Sequence, residues 1–229
     1  MRALSTTEIL SVWERGNGRI PLQRALMLLA VANPERSFES LKLLSIGQRD
    51  AQLLTLRELT FGEKFTGLAN CPACNEKIEL TFTADDLRTV PGNEIPPELT
   101  MQIEGRELRL RLPNSGDLLV ARTREELLGR CVLSGENSFS PNSLRMISEK
   151  ISAADPLADV QMTLRCTCCG HQWHAAFDIV AFFWRELAAA AQSSLREVHA
   201  LAAAYGWPES EILALTPARR RLYLEMVNG

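Results

Sequence analysis

Apolar positions along this chain switch between helical and strand spacing. The chain opens in the helical period. Ser5 and Glu8 have the S-x-x-E spacing of a capping box, which predicts a short helix through Trp13. Gly16, Asn17 and Gly18 end it. Pro21 suits a first helical position, and the LQRALMLLAVA that follows is apolar nearly all round, so a buried helix is predicted as far as Asn33-Pro34. A third helix is predicted from about Gly47 to Leu59, with Leu53, Leu56 and Leu59 at helical spacing. After Phe61-Gly62 the period falls to two. Ile78, Leu80 and Phe82 alternate with Lys77, Glu79 and Thr81, the mark of a half-buried strand. In MQIEGRELRLRL, Leu108, Leu110 and Leu112 alternate with Arg109 and Arg111, and Glu104-Gly105 can turn, which predicts a hairpin.

Thr123 and Glu126 form a second possible capping box, opening a helix through about Leu133; residues 134–144 (SGENSFSPNSL) have loop composition. Two further strands follow, with Val160, Met162 and Leu164 alternating into Cys166, and Trp173, Ala175 and Phe177 beyond it. From Asp178 the helical period returns and runs through Tyr205, predicting one helix of about 27 residues, some 40 Å long. Gly206 fits the position after its end. Pro208 and Pro217 can each open a short terminal helix, the second with Thr216 as N-cap. The only repeat is short: strand, CxxC, turn, strand, around residues 71–82 and again around 160–177.

Composition narrows the class. With 229 residues, 46% hydrophobic and 23% charged, the chain reads as globular rather than disordered or coiled-coil. A chain of this size buries roughly 70% of its unfolded surface and needs no disulfides to fold. A formal charge of -3 removes the main electrostatic argument for nucleic-acid binding and gives no polybasic membrane anchor. No apolar run approaches the roughly 20 residues that span a bilayer, and MRALSTTEIL lacks the features of a signal peptide, so a cytoplasmic location is expected. In that reducing setting, clustered cysteines point to metal or redox chemistry rather than structural disulfides.

The six cysteines are Cys71, Cys74, Cys131, Cys166, Cys168 and Cys169. Cys71-Pro-Ala-Cys74 and Cys166-Thr-Cys168-Cys169 each precede a turn and a strand, the arrangement of a zinc knuckle. Two thiolates two residues apart grip one side of a tetrahedral ion, and a second knuckle completes the site. Cys71, Cys74, Cys166 and Cys169 are therefore the expected ligands of one structural zinc per chain, because Cys166 and Cys169 keep the spacing and Gly170 follows directly. Cys131 and Cys168 are left over as small buried or half-buried residues. The knuckles lie about 90 residues apart, well beyond the 15–20 of an ordinary zinc ribbon. Closing such a loop costs roughly 4 kcal/mol plus a constant. A structural zinc contributes about 10–16 kcal/mol in small peptides, so the metal wins.

Two other readings stay open at this point: unmetallated buried cysteines, and redox-active pairs. The redox reading wants a CxxC opening a helix, whereas each pair here sits between strands. His171 and His174 are candidate ligands of a catalytic zinc, but four cysteines make a closed structural site the better expectation. His199 lies on the long helix with no obvious partner and is expected to pack. No nucleophile motif, phosphate-binding glycine loop or HExxH is present. Asp85-Asp86 and Glu125-Glu126 read as charges at helix starts. Trp184 and Trp207 read as packing residues. Arg219, Arg220 and Arg221 form a short basic run, either a solvated face or a partner-binding site.

Four stretches carry a resemblance. They are RALMLLAVANPE; SIGQRDAQLLTLRELTFG running into CPACNEKIEL; CTCCGHQWHAAFDIVAFFWREL; and REVHALAAAYGWPESEILALTPARRRLYLEMV. Together they resemble a family found with the tail genes of contractile-tailed phages and phage-like contractile injection systems, described as a baseplate protein or baseplate hub assembly chaperone. The likeness covers nearly the whole chain in the same order. One departure is the second knuckle, which reads CTCC and leaves Cys168 a candidate in place of Cys169. The resemblance implies a part in building a baseplate, hub or baseplate proteins as partners, and no catalysis.

The expected fold is α+β. A zinc-ribbon-like centre spans residues 63–177, with an inserted hairpin and helices at about 84–159. Helices flank it at 1–62 and 178–229, and the whole is one cooperative unit. The expected function is non-enzymatic, zinc-dependent assistance in baseplate assembly, in the cytoplasm or in the particle. One rival is a zinc-ribbon nucleic-acid-binding or transcription-associated module, which wants a basic knuckle face; acidic residues instead outnumber basic ones between 75 and 165. A weaker rival is a zinc hydrolase.

Overall fold

Side-chain caps set where the helices begin. In a computed structural model, which describes residues 1–87, 96, 98–134 and 139–228, helix α1 (Thr6–Gly16) opens on a complete capping box. The Glu8 amide donates to Ser5 Oγ, and Glu8 accepts the Ser5 amide at 2.9 Å. Helix α2 (Pro21–Ala32) has Pro21 at its first position and ends at Asn33. A short α3 (Phe38–Lys42), capped by Ser37, carries no periodic signal and was not expected. Helix α4 (Ile46–Phe61) starts on a second capping box, Ser45 with Gln48.

Next comes an antiparallel hairpin, β1 (Phe65–Asn70) and β2 (Lys77–Phe82), in which Phe65 faces Phe82 and Asn70 faces Lys77. After the short α5 (Ala84–Leu87), strands β3 (Leu99–Ile103) and β4 (Arg106–Leu110) form the hairpin expected around Glu104-Gly105. Helix α6 (Ser115–Val120), capped by Asn114 and Asp117, was not expected. Helix α7 (Arg124–Cys131) starts at Thr123, but Glu126 accepts the amide of Arg122 rather than that of Thr123.

Two expectations need correction here. Helix α7 stops at Cys131, not near Leu133, because β5 (Val132–Ser134) pairs with β4, Val132 facing Leu110. The stretch 134–144 is not loop throughout: helix α8 (Pro141–Ala154) begins within it, capped by Ser140, with Ile147 and Ile151 buried. Residues 135–138 lie outside the described residues. A 3-10 turn (Pro156–Ala158) leads into the hairpin β6 (Val160–Arg165) and β7 (Gln172–Phe177), in which Val160 faces Phe177. The 27-residue helix α9 (Ile179–Tyr205) follows, with Asp178 as N-cap and Gly206 left-handed at its end, φ 69°. Helices α10 (Glu209–Ala214) and α11 (Pro217–Asn228) close the described chain.

Packing divides the apolar side chains into three clusters. The largest joins α1, α2, α4 and α9 to the bases of both outer hairpins through Val12, Leu28, Leu56, Phe65, Phe177 and Phe183. There the rings of Phe65, Phe82, Phe177 and Phe182 pack on one another at 5.2–6.5 Å. The inserted segment has its own core of Leu99, Leu110, Leu128, Cys131 and Ile147. It also has its own ion cluster, in which buried Asp117 accepts from Arg111 at 2.6 and 2.8 Å and from Arg130 at 3.1 Å. The third cluster, Cys71, Ile78 and Cys166 with Leu80 and Trp173, lies at the hairpin tips.

Polar contacts seat the insertion on the start of α4. Buried Asp155 accepts the Gly47 amide at 2.9 Å, capping α4 from 108 positions away, and the Ile46 amide donates to Pro113 O. A Cβ on Gly47 would lie 1.9 Å from Asp155 Oδ1 and 3.1 Å from the Ala158 amide, so only glycine fits. Gly47→Ala is therefore expected to destabilise by about 1–3 kcal/mol, as overpacking does. Gly129→Ala, a helical position with nothing within 4 Å of the added atom, is the control. It should be neutral or gain up to about 1 kcal/mol. Urea unfolding of the two variants checks this; equal midpoints would show that Asp155 and Gly47 do not set the docking.

Candidate functional site

Each CxxC lies in the loop that closes a hairpin, residues 71–76 in the first and 166–171 in the second, and the two loops fold alike. The Cys71 amide donates to Glu76 O at 2.9 Å, as the Cys166 amide does to His171 O at 2.8 Å. The Asn75 amide donates to Cys71 O at 2.8 Å, and the Gly170 amide to Cys166 O at 3.0 Å. Asn75 (φ 59°) and Gly170 (φ 74°) take the left-handed turn that asparagine and glycine adopt most readily. This equivalence sets Cys169 opposite Cys74, and Cys168 opposite Ala73. The Cys169 amide also points at Cys166 Sγ, 3.5 Å away.

The two tips meet. Cys71 Sγ lies 3.7 Å from Cys169 Sγ, Cys74 Sγ lies 3.6 Å from Cys166 Sγ, and all four sulfurs fall within 4.8 Å of one another. A disulfide needs about 2.05 Å. A tetrahedral ion with sulfurs at about 2.3 Å sets them about 3.8 Å apart, so this set fits a shared metal. Cys71 and Cys166 are buried against Ile78, Leu80 and Trp173, while Cys74 and Cys169 face outward.

The thiols shift one another's ionisation. The Cys169 amide, working against burial and helped by the Cys168 amide, lowers the Cys166 thiol to about 7. Cys74 receives the Glu76 amide, yet the thiols of Cys169, Cys166 and Cys71, together with burial, push it up to about 12. One thiolate in this group thus opposes the next, and a divalent ion removes that opposition.

The remaining candidates fall elsewhere. Cys168 is exposed and outside the four-sulfur group. Cys131 is buried in the insertion's core, its Sγ 3.3 Å from Leu127 O, and burial raises its thiol to about 11. His171 stacks on Trp173 with centroids 6.1 Å apart, and His174 Nδ1 lies 3.2 Å from Thr163 Oγ1; neither joins the sulfurs. His199 does not pack as expected, because its place on α9 is exposed. Asp85 and Asp86 sit in the first turn of α5, and Glu125 and Glu126 in that of α7. Trp184 packs as expected, under the Arg24 guanidinium at 4.4 Å.

The basic run divides. Arg219 and Arg221 are exposed, but Arg220 is 4% exposed. Its guanidinium donates to Glu197 at 3.0 Å, to Leu215 O at 3.0 Å and toward Thr6 Oγ1 at 3.5 Å. Arg220 therefore fastens α11 to α9 and α1, and its guanidinium is turned into the fold while Arg219 and Arg221 face outward. Leu222, two positions on, is 56% exposed. Position 220 rotates inward to meet Glu197, and position 222 rotates out with it.

One structural residue escaped the sequence reading. Arg57 of α4 is 3% exposed, and its guanidinium grips Glu186 of α9 at 2.7 and 2.6 Å. It also donates to Gly62 O at 2.6 Å and lies over the Phe65 ring at 3.9 Å, at the base of the first hairpin. An arginine on an otherwise apolar helical face was the available signal.

These features define an α+β protein whose two hairpins meet at a four-thiol cluster and share an aromatic base. A family model described as T4 bacteriophage base plate protein matches residues 27–184, from α2 into the second turn of α9. The chain belongs to that family. No curated protein and no solved structure matches it. Among the described residues, no helix is long and apolar enough to cross a membrane.

Proposed function

We propose that the chain is a non-enzymatic assembly factor or minor component of a contractile-tail baseplate, made rigid by one structural zinc on Cys71, Cys74, Cys166 and Cys169. The observation that carries this is the convergence of four sulfurs from knuckles some 90 residues apart, in a chain of the base plate family. Zinc suits an all-thiolate tetrahedral set better than calcium or magnesium, which prefer oxygen. Four protein sulfurs leave no open position for a reacting water, which supports a structural role over a hydrolytic one.

Bound in that set, zinc would supply a crosslink. The ion would hold β1–β2 against β6–β7 at the tips, as the phenylalanines hold them at the base, and so fix α4 relative to α9. A scaffold of this kind presents rigid helical faces, which suits contact with hub and baseplate proteins.

Deletion of the gene from a complete tail cluster tests the reading. Without the protein, finished baseplates should fall at least tenfold by electron-microscopic count, and wild-type protein should restore them. Mass spectrometry of the purified particles then separates a resident component, which is found there, from a chaperone, which is not. Normal baseplate numbers without the protein would overturn the proposal.

A further inference from the structure

Among the described side chains of α11, Arg220, Tyr223 and Leu224 are buried or half-buried, and Arg220 and Tyr223 reach α9 at Glu197 and Tyr205. The opposite face carries Ala218, Leu222 and Met226, four residues apart and so stacked in one stripe. Leu222 is 56% exposed and Met226 70% exposed. Helical spacing puts Arg219 on one margin of the stripe, and Arg221 with Glu225 on the other. Among the described residues neither exposed arginine has an acidic partner. Arg219 rests on Tyr223, its guanidinium 3.4 Å from the hydroxyl and 5.7 Å from the ring centre. Behind it Tyr205, Trp207 and Tyr223 pack together at 4.7–5.8 Å and brace the helix from below. The aromatic cluster thus holds α11 in place from the inner side and leaves the stripe and its flanking arginines outward.

We propose that this outer face of α11 docks an amphipathic helix of a partner protein, one with an apolar stripe and acidic margins. The inference rests on the assembly reading and names the surface it uses. Charge selects the occupant. A second copy laid antiparallel across Leu222 would set each Arg221 beside the other copy's Glu225 but bring the two Arg219 together, so self-pairing satisfies only one margin. A partner with aspartate or glutamate beside its apolar stripe is attracted, in a chain that is otherwise acidic overall, at -3. A helix of 12 residues is only about 18 Å long. One such face falls well short of the roughly 800 Å² per partner of a stable pair. The contact is therefore weak alone and gains strength when other contacts of the same assembly hold the partner close.

The test uses the zinc-loaded full chain, isotope-labelled for NMR, and two synthetic helical peptides with the same leucine stripe, one with glutamate margins and one with lysine. The acidic peptide should shift amides of residues 217–227 and bind at least tenfold tighter than the basic one, with a preference that shrinks as salt rises. Arg219→Glu with Arg221→Glu should reverse the preference, and Leu222→Asp should weaken binding about tenfold or more. Equal binding of both peptides, shifts centred elsewhere, or no binding at about millimolar peptide would overturn the proposal. So would self-association through α11 by sedimentation. Each leaves the gene-deletion result untouched. If the charge-reversed variant switches peptides yet completes baseplates at wild-type yield, assembly does not use this face, and the inference fails while the assembly reading stands.

Discussion

Cys74→Ser is expected to strip the chain of its zinc and to abolish cooperative thermal unfolding of the hairpin region. A metal that binds only the folded chain contributes its binding free energy to folding, on the order of 10 kcal/mol for structural zinc in small peptides. Whole domains are stable by about 5–15 kcal/mol, so losing one of four ligands removes much of what holds the fold. Cys169→Ser should behave in the same way, because the two knuckles are equivalent by their backbone hydrogen bonds. Chelation of the wild type should reproduce the effect. Cys168→Ser should change stability by no more than about 0.5 kcal/mol, since that thiol is exposed and outside the sulfur group. The readouts are calorimetry and proteolysis of the hairpins. A Cys168 variant that loses metal, beside a Cys169 variant that keeps it, would show the second knuckle to be read in the wrong register.

The second large effect belongs to Arg57. Its guanidinium is held by Glu186 and by Gly62 O and lies on Phe65. Arg57→Ala leaves the Glu186 carboxylate beside an aromatic cluster and a carbonyl without its donor. Breaking one side of a fully buried pair costs about 3–5 kcal/mol, and because Glu186 is 29% exposed about 2–3 kcal/mol is expected here. Arg57→Lys should recover little, because an ammonium cannot hold two carboxylate oxygens and a carbonyl while stacking on a ring. The double variant Arg57→Met with Glu186→Leu should recover most of the loss, since a buried ion pair gives little net stability over a packed apolar one. Urea unfolding of the three variants in excess zinc decides it. Equal destabilisation by the single and double changes would mean that shape, not the unpaired charge, sets the cost.

How far the sequence could be read depended on whether a segment's partners were close by. Helix α9 was legible from end to end because its period is unbroken and Gly206 closes it. Strands β2, β6 and β7 were legible from two-residue alternation beside a CxxC, whereas β1 (FTGLAN) carries no such alternation and shows itself only by pairing with β2. The four sulfurs could be assigned from CxxC spacing alone, since a knuckle is a local structure, while their meeting across some 90 residues rested on coordination chemistry. Helix α8 was hidden by its polar surface, although Ser140 and Pro141 are ordinary starting signals. Strand β5 was hidden because pairing with β4 overrides the end of α7. Arg220 defeated the reading for another reason. Three successive arginines look alike in sequence, and only Glu197 on α9 selects the one that turns inward. The same holds for Asp155 and Gly47, which cap α4 from the far side of the insertion.

The four-sulfur metal site is tested most directly by the metal itself. X-ray absorption at the zinc edge, combined with elemental analysis of chain purified without added chelator or metal, measures both its amount and its ligands. One zinc per chain, with four sulfurs at about 2.3 Å and no nitrogen or oxygen neighbour, is the result predicted from the cluster of Cys71, Cys74, Cys166 and Cys169. A folded chain free of zinc, or a zinc with three sulfurs and a light-atom neighbour, would contradict it.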